Sequence, residues 1–203
     1  MLMRASPIAY TLAFMALILI TSYAMKPDII PAIANSIPLY VLAAQICLAL
    51  LAAAILLKGK SKSIDAAFSC VAKDGRSLAF LISLTAMCGS LFYQFGMQYT
   101  PCELCWFQRI FMYPLPFIIS VSLIRKRDDV FEFAIPLCSI GALIAAYQCV
   151  IQYFPVSSFV CTSAEPCSLV QSIAFGYITI PLMSLTAFIS VAALLYLDAR
   201  RKK

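Results

Sequence analysis

The chain has 203 residues, of which 63% are hydrophobic and only 12% charged, and it carries a net charge of +6. A soluble domain is about half apolar and a quarter charged, so this composition, gathered into long unbroken apolar runs, excludes a soluble globular protein and points to an integral membrane protein. The positive balance would indicate nucleic acid in a soluble chain, but here the basic residues collect in short loops between apolar runs, where they decide topology.

Runs long enough to span a bilayer, which takes ~20 residues, occur at about 8–25, 37–57, 77–97, 105–124, 131–153 and 175–197. The first begins after Arg4 and is longer than the core of a secretory leader, so it is expected to be a retained helix, stopped by Pro27 and Pro31. Pro38 fits the first turn of the second span, and Lys58, Lys60, Lys62, Lys73 and Arg76 follow that span. Within this loop Ile64, Ala67, Phe68 and Val71 recur at helical spacing, which fits either a short amphipathic helix on the inner leaflet or a solvated loop. Residues 1–76 therefore read as an N-terminal two-helix module with a cytoplasmic loop, and residues 77–203 as the part that carries the chemistry.

The third span ends in Tyr93, Gln94, Gln98 and Tyr99, groups suited to a membrane interface, and Pro101 forces a turn before Cys102. The fourth span descends from Cys105 and contains Pro114 and Pro116, which remove backbone donors and predict a kink below Arg109 that can open a cavity beside it. Arg125, Lys126 and Arg127 follow it. The fifth span brings Tyr147, Gln148, Gln152 and Tyr153 toward its far end, a loop carries Cys161 and Cys167, and the last span ends in Arg200, Arg201, Lys202 and Lys203. If six helices alternate, every basic loop falls on one side. The positive-inside rule then places both termini in the cytoplasm and the loops at 26–36, 98–104 and 154–174 on the outer face of a bacterial cytoplasmic membrane.

Of nine cysteines, Cys102, Cys105, Cys161 and Cys167 fall in the oxidising outer region, in two close pairs. Cys47, Cys70, Cys88, Cys138 and Cys149 fall in apolar spans or the inner loop and read as small buried hydrophobes, with Cys149 nearest the outer face. If Cys105 opens a helix, Arg109 at i+4 shares its face. A thiolate there would then have a cation and a helix N-terminus as neighbours. Glu103 either opposes that thiolate or pairs with Arg109. Pro166 and the small residues between Cys161 and Cys167 make an approach of those sulfurs feasible, although connectivity does not follow from sequence. Two cysteine pairs can pass electrons by thiol–disulfide exchange. With no histidine in the chain, and four cysteines engaged as exchange partners, haem or iron–sulfur sinks are excluded. A lipid-soluble acceptor remains.

The segment Pro-Cys-Glu-Leu-Cys-Trp-Phe-Gln-Arg-Ile-Phe-Met-Tyr-Pro-Leu, residues 101–115, closely resembles the disulfide bond formation protein B (DsbB) family, especially its BdbC-like branch. Pro-Cys-Ser at 166–168 and Gly-Tyr-Ile-Thr-Ile-Pro-Leu-Met-Ser-Leu at 176–185 are similar to that branch's second cysteine region and final helix. The resemblance covers about 77–197. It implies an all-α fold, a four-helix transmembrane bundle with both cysteine pairs outside, here preceded by an extra transmembrane hairpin. It also implies a quinone-dependent oxidase, using ubiquinone or menaquinone, that reoxidises a thioredoxin-like (DsbA-like) thiol oxidase outside the membrane. By the same resemblance Cys161 meets the partner, Cys167 passes electrons to Cys102, Cys105 faces quinone, and Arg109 lies beside the quinone ring. The Cys161–Cys167 spacing is short, so a separate loop helix is not expected. The competing readings are a reductase resembling vitamin K epoxide reductase, a membrane protein holding a metal on the four outer thiolates, and a structural membrane protein with incidental disulfides.

Overall fold

A computed structural model describes residues 30–56, 71–154, 161 and 166–201. The expected first span, Cys70, and the loop stretch containing Ile64, Ala67 and Phe68 lie outside these residues. Five helices among the described residues are long and apolar enough to cross a membrane. They are α1 (Ile30–Leu56), α2 (Gly75–Phe95), the broken pair α3 (Glu103–Met112) and α4 (Pro114–Arg125), α5 (Val130–Tyr153) and α6 (Ile180–Arg201). The 21 residues of α2 reach about 32 Å, close to the ~30 Å of a hydrocarbon core.

Three helix starts differ from the sequence expectation, and the break in the fourth span agrees with it. Helix α1 starts at Ile30 rather than near 37, so Pro31 lies in its first turn and Pro38 lies inside it. A proline fits a first turn because that N–H has no intrahelical partner. Inside a membrane helix its missing donor is tolerated where neighbouring groups take over the freed carbonyl. Helix α3 starts at Glu103, which places Cys102 at its N-cap with extended backbone and Cys105 in its first turn. The fourth span is interrupted at Tyr113, immediately before Pro114, as the two prolines predict. The last helix starts at Ile180, not 175, because residues 173–179 form a two-stranded antiparallel ribbon, β1 (Ile173–Ala174) with β2 (Ile178–Thr179). Its turn takes positive φ at Phe175 and at Gly176, a conformation open to glycine at little steric cost. Among the described residues the fold is therefore helical with one short ribbon.

Helices α2, α4, α5 and α6 pack around a core that includes Ala79, Leu115, Ile119, Ala134, Phe188 and Val191. Helix α6 lies against α5, α2 and also α1. At Gly141 of α5 an added Cβ would fall 2.2 Å from the ring of Phe188, so this crossing requires glycine. At one end of the bundle Arg76 joins three segments, with ion pairs to Asp128 at 2.8 Å and Asp198 at 2.9 Å and a hydrogen bond to Ser122 Oγ at 3.2 Å. The cysteine pairs lie at the other end, where α2 finishes, α3 starts and α5 finishes.

Candidate functional site

The segment from Gly96 to Cys102 carries the chain from α2 to α3. The Cys102 carbonyl accepts the Trp106 N–H at 3.1 Å, closing the first turn of α3. This turn brings Cys102 Sγ and Cys105 Sγ to 2.9 Å, with both thiols free. Gln148, buried to 2% exposure in α5, donates its Nε2 to Cys102 Sγ at 3.1 Å and to Cys105 Sγ at 3.5 Å. Its Oε1 accepts from Gln108 Nε2 at 2.7 Å. A buried amide is costly unless paired, and this one is oriented by a second amide so that its donor faces the sulfurs. The hydrogen bond with Cys105 Sγ, and then burial, push the Cys102 thiol up from its ordinary value.

Arg109 follows one turn later. Its guanidinium donates to Gln94 Oε1 and to the Ser90 carbonyl at 3.3 Å, and lies 5.1 Å from the centre of the Trp106 ring. A cation inside a spanning segment costs at least ~2.5 kcal/mol unless it is paired or reaches the interface; α2 supplies the acceptors here. Cys105 and Arg109 line the same cavity, as the i+4 spacing predicts. The cavity measures about 650 Å³, and Gln94, Gln108 and Tyr113 also line it. It therefore suits a largely apolar molecule with polar atoms at one end.

Cys161 and Cys167 are joined by a disulfide, with Cα atoms 5.9 Å apart. Cys167 is 1% exposed and shares one buried cluster with Cys102, Leu104 and Ile151, while Cys105 and the half-buried Cys161 pack against that cluster. Two hydrogen bonds hold the Cys167 segment in place: Gln152 Nε2 to the Leu169 carbonyl at 3.2 Å, and Gln171 Nε2 to the Thr100 carbonyl at 2.7 Å. The second ties it to the segment that leads into Cys102. Cys102, Cys105, Cys161 and Cys167 are thus gathered at one end of the bundle, and the arrangement can carry thiol–disulfide exchange.

Sequence reasoning missed Gln148 and Gln108 as site residues and placed Gln148 only toward the far end of the fifth span. The available signal was an amide in an otherwise apolar span, which is expensive unless it has a partner. Of the remaining cysteines, Cys138 and Cys149 are buried, Cys88 lines the cavity wall, and Cys47 is exposed on α1. Among the described residues no group of three or more His, Cys, Asp or Glu side chains is placed to hold a metal ion.

Comparison with known proteins gives a consistent result. The family described as disulfide bond formation protein DsbB matches residues 73–197. The chain is 35% identical over 127 residues to a probable disulfide formation protein C 2 of Bacillus cereus, covering 62% of this chain and 91% of that protein. It is 38% identical over 139 residues to a probable disulfide formation protein of Oceanobacillus iheyensis, covering 64% and 94% respectively. It is 38% identical over 115 residues to disulfide bond formation protein C of Bacillus subtilis, covering 56% and 83%. No solved structure matches.

Proposed function

The chain belongs to the disulfide bond formation protein DsbB family, and from that premise we propose that it is a membrane thiol oxidase that reoxidises a thioredoxin-like partner outside the cytoplasmic membrane and delivers the electrons to quinone. The observation that carries this reading is that Cys105 belongs to both halves of the site. It packs against the buried cluster that holds both Cys102 and Cys167, and it lines the apolar cavity beside Arg109.

In this reading a partner thiolate attacks Cys161 Sγ and Cys167 Sγ leaves. The partner's second thiol then attacks the partner sulfur of the mixed disulfide, which releases Cys161 and an oxidised partner. Next, Cys167 Sγ attacks Cys102 Sγ of a Cys102–Cys105 disulfide and Cys105 Sγ leaves. Cys161 closes on Cys167 and frees Cys102. The state described above, with Cys161–Cys167 bonded and Cys102 and Cys105 free, matches the stage after this inner exchange. Quinone, when bound, supplies a sink for two electrons and two protons. The cavity fits such a group: its length is apolar, and Arg109, Gln94 and Gln108 converge at the end near Cys105. There Cys102 and Cys105 give up the electron pair and reclose, and Arg109 holds a positive charge beside the reacting sulfur. One partner dithiol oxidised thus yields one quinol.

The test is anaerobic addition of ubiquinone or menaquinone to the purified chain with a reduced thioredoxin-like oxidase, following quinone absorbance. Quinone loss that requires both the partner and Cys105 is expected, and Cys105→Ser abolishes it. Normal turnover by Cys105→Ser contradicts the assigned role. No loss with either quinone, alongside bound zinc, would return the four outer thiolates to a metal site.

A further inference from the structure

The family match begins at residue 73, so α1 lies outside it, yet α1 forms a wall of the cavity that holds Cys105 and Arg109. Ile33, Ser36, Ile37, Tyr40, Val41 and Ala44 line that cavity, and their spacing is that of one helix face. The placement is fixed by specific contacts. Gln45 donates to Thr186 Oγ1 at 3.2 Å and accepts from the Tyr177 hydroxyl at 2.8 Å. Ile37, Val41 and Leu42 pack on the cluster of Tyr93, Ile178 and Met183.

The cavity is long. Its lining runs from Leu81 to Gln94 on α2 and from Ile33 to Ala44 on α1, which at about 1.5 Å per residue is roughly 20 Å and 16 Å. Polarity is concentrated at one end, where Arg109, Gln94 and Gln108 meet. Several hydroxyls farther along are turned back onto their own helices: Thr85 donates to the Leu81 carbonyl at 2.7 Å, Thr186 to Leu182 at 2.8 Å and Ser190 to Thr186 at 2.7 Å. They present little hydrogen-bonding capacity to an occupant. A redox ring fills only the polar end, and the remainder fits a flexible apolar chain attached to it.

We propose that α1 is a specificity wall of the acceptor site, holding the apolar tail of the quinone against α2 and α6 while Arg109 and its amide partners hold the ring end. This rests on the quinone reading above. A lipid acyl chain is the competing occupant, but it gives no reason for the cavity to continue to Cys105 and Arg109.

The test uses the full chain in detergent with the reduced partner and two quinones that share a ring, one with a single isoprene unit and one with eight. Ala44→Trp fills the wall, whereas Leu50→Trp places the same bulk at a position of α1 outside the cavity lining, where Leu50 is 64% exposed. The expected result is a tenfold or greater rise in the apparent KM for the long-tailed quinone in Ala44→Trp, with little change for the short-tailed quinone or for the partner and none in Leu50→Trp. An equal effect on both quinones, or no effect, overturns the proposal. Because Ala44→Trp can fail to fold, the unaltered chain is also labelled with a quinone carrying a photoreactive diazirine on its tail. Label in residues 30–56 is expected, and label confined to α2 and α6 overturns the proposal. Failure of the unaltered chain to reduce either quinone would remove the functional reading itself; normal reduction with α1 unlabelled would remove only this inference.

Discussion

Gln148 shows what a single residue does at this site. Its Nε2 reaches both sulfurs of the helix-end pair and its Oε1 is held by Gln108, so it stabilises negative charge on whichever sulfur carries it. A hydrogen bond to a charged group is worth roughly 1.5 to 3 kcal/mol. Gln148→Leu is therefore expected to slow electron transfer from the Cys102–Cys105 pair roughly 10- to 100-fold. The first exchange between partner and Cys161 is expected to keep its rate, and rapid-mixing with thiol trapping separates the two steps. An unchanged second step would mean that the amide only fills space. The Cys102, Cys105 and Arg109 constellation was legible in the sequence because three residues within eight positions share one helical turn and its successor. Gln148 was not, because its partners lie on another helix, 40 and more positions away, and only the packing of α3 on α5 brings them together.

At the scale of elements, the spans were legible because uninterrupted apolar length is a direct requirement of the bilayer. Their ends were less so. Pro31 and Pro38 read as a stop and a start, whereas α1 runs through both, and the ribbon before α6 is too short to leave a periodic signal. The contact between α5 and α6 depends on Gly141, where no Cβ fits beside Phe188. Overpacking a core of this kind costs typically ~1 to 3 kcal/mol. Gly141→Ala should lower the melting temperature in detergent, and Gly141→Ala combined with Phe188→Leu should recover part of the loss. A melting temperature unchanged in Gly141→Ala would mean that the two helices separate freely, contrary to the packing described.

Across the whole molecule, function follows from the ends of the bundle. The Arg76, Asp128 and Asp198 network ties α2, α6 and the α4–α5 connection together at one end, leaving the opposite end to carry both cysteine pairs. Charge asymmetry made this polarity readable from sequence. The position of α1 was not readable, because an apolar helix with few polar side chains names no neighbour until Gln45 is seen to meet Thr186 and Tyr177. The proposed relay is directed, from the loop pair to the helix-end pair to quinone, and bypassing its first half puts it to the test. The double variant Cys161→Ser and Cys167→Ser is compared with Cys105→Ser, each supplied anaerobically with quinone and either the reduced protein partner or a small dithiol, above the rate without protein. The double variant is expected to lose quinone reduction with the protein partner but to retain it with the small dithiol, while Cys105→Ser loses both. Full activity of the double variant with the protein partner, or retained activity in Cys105→Ser, would contradict the relay.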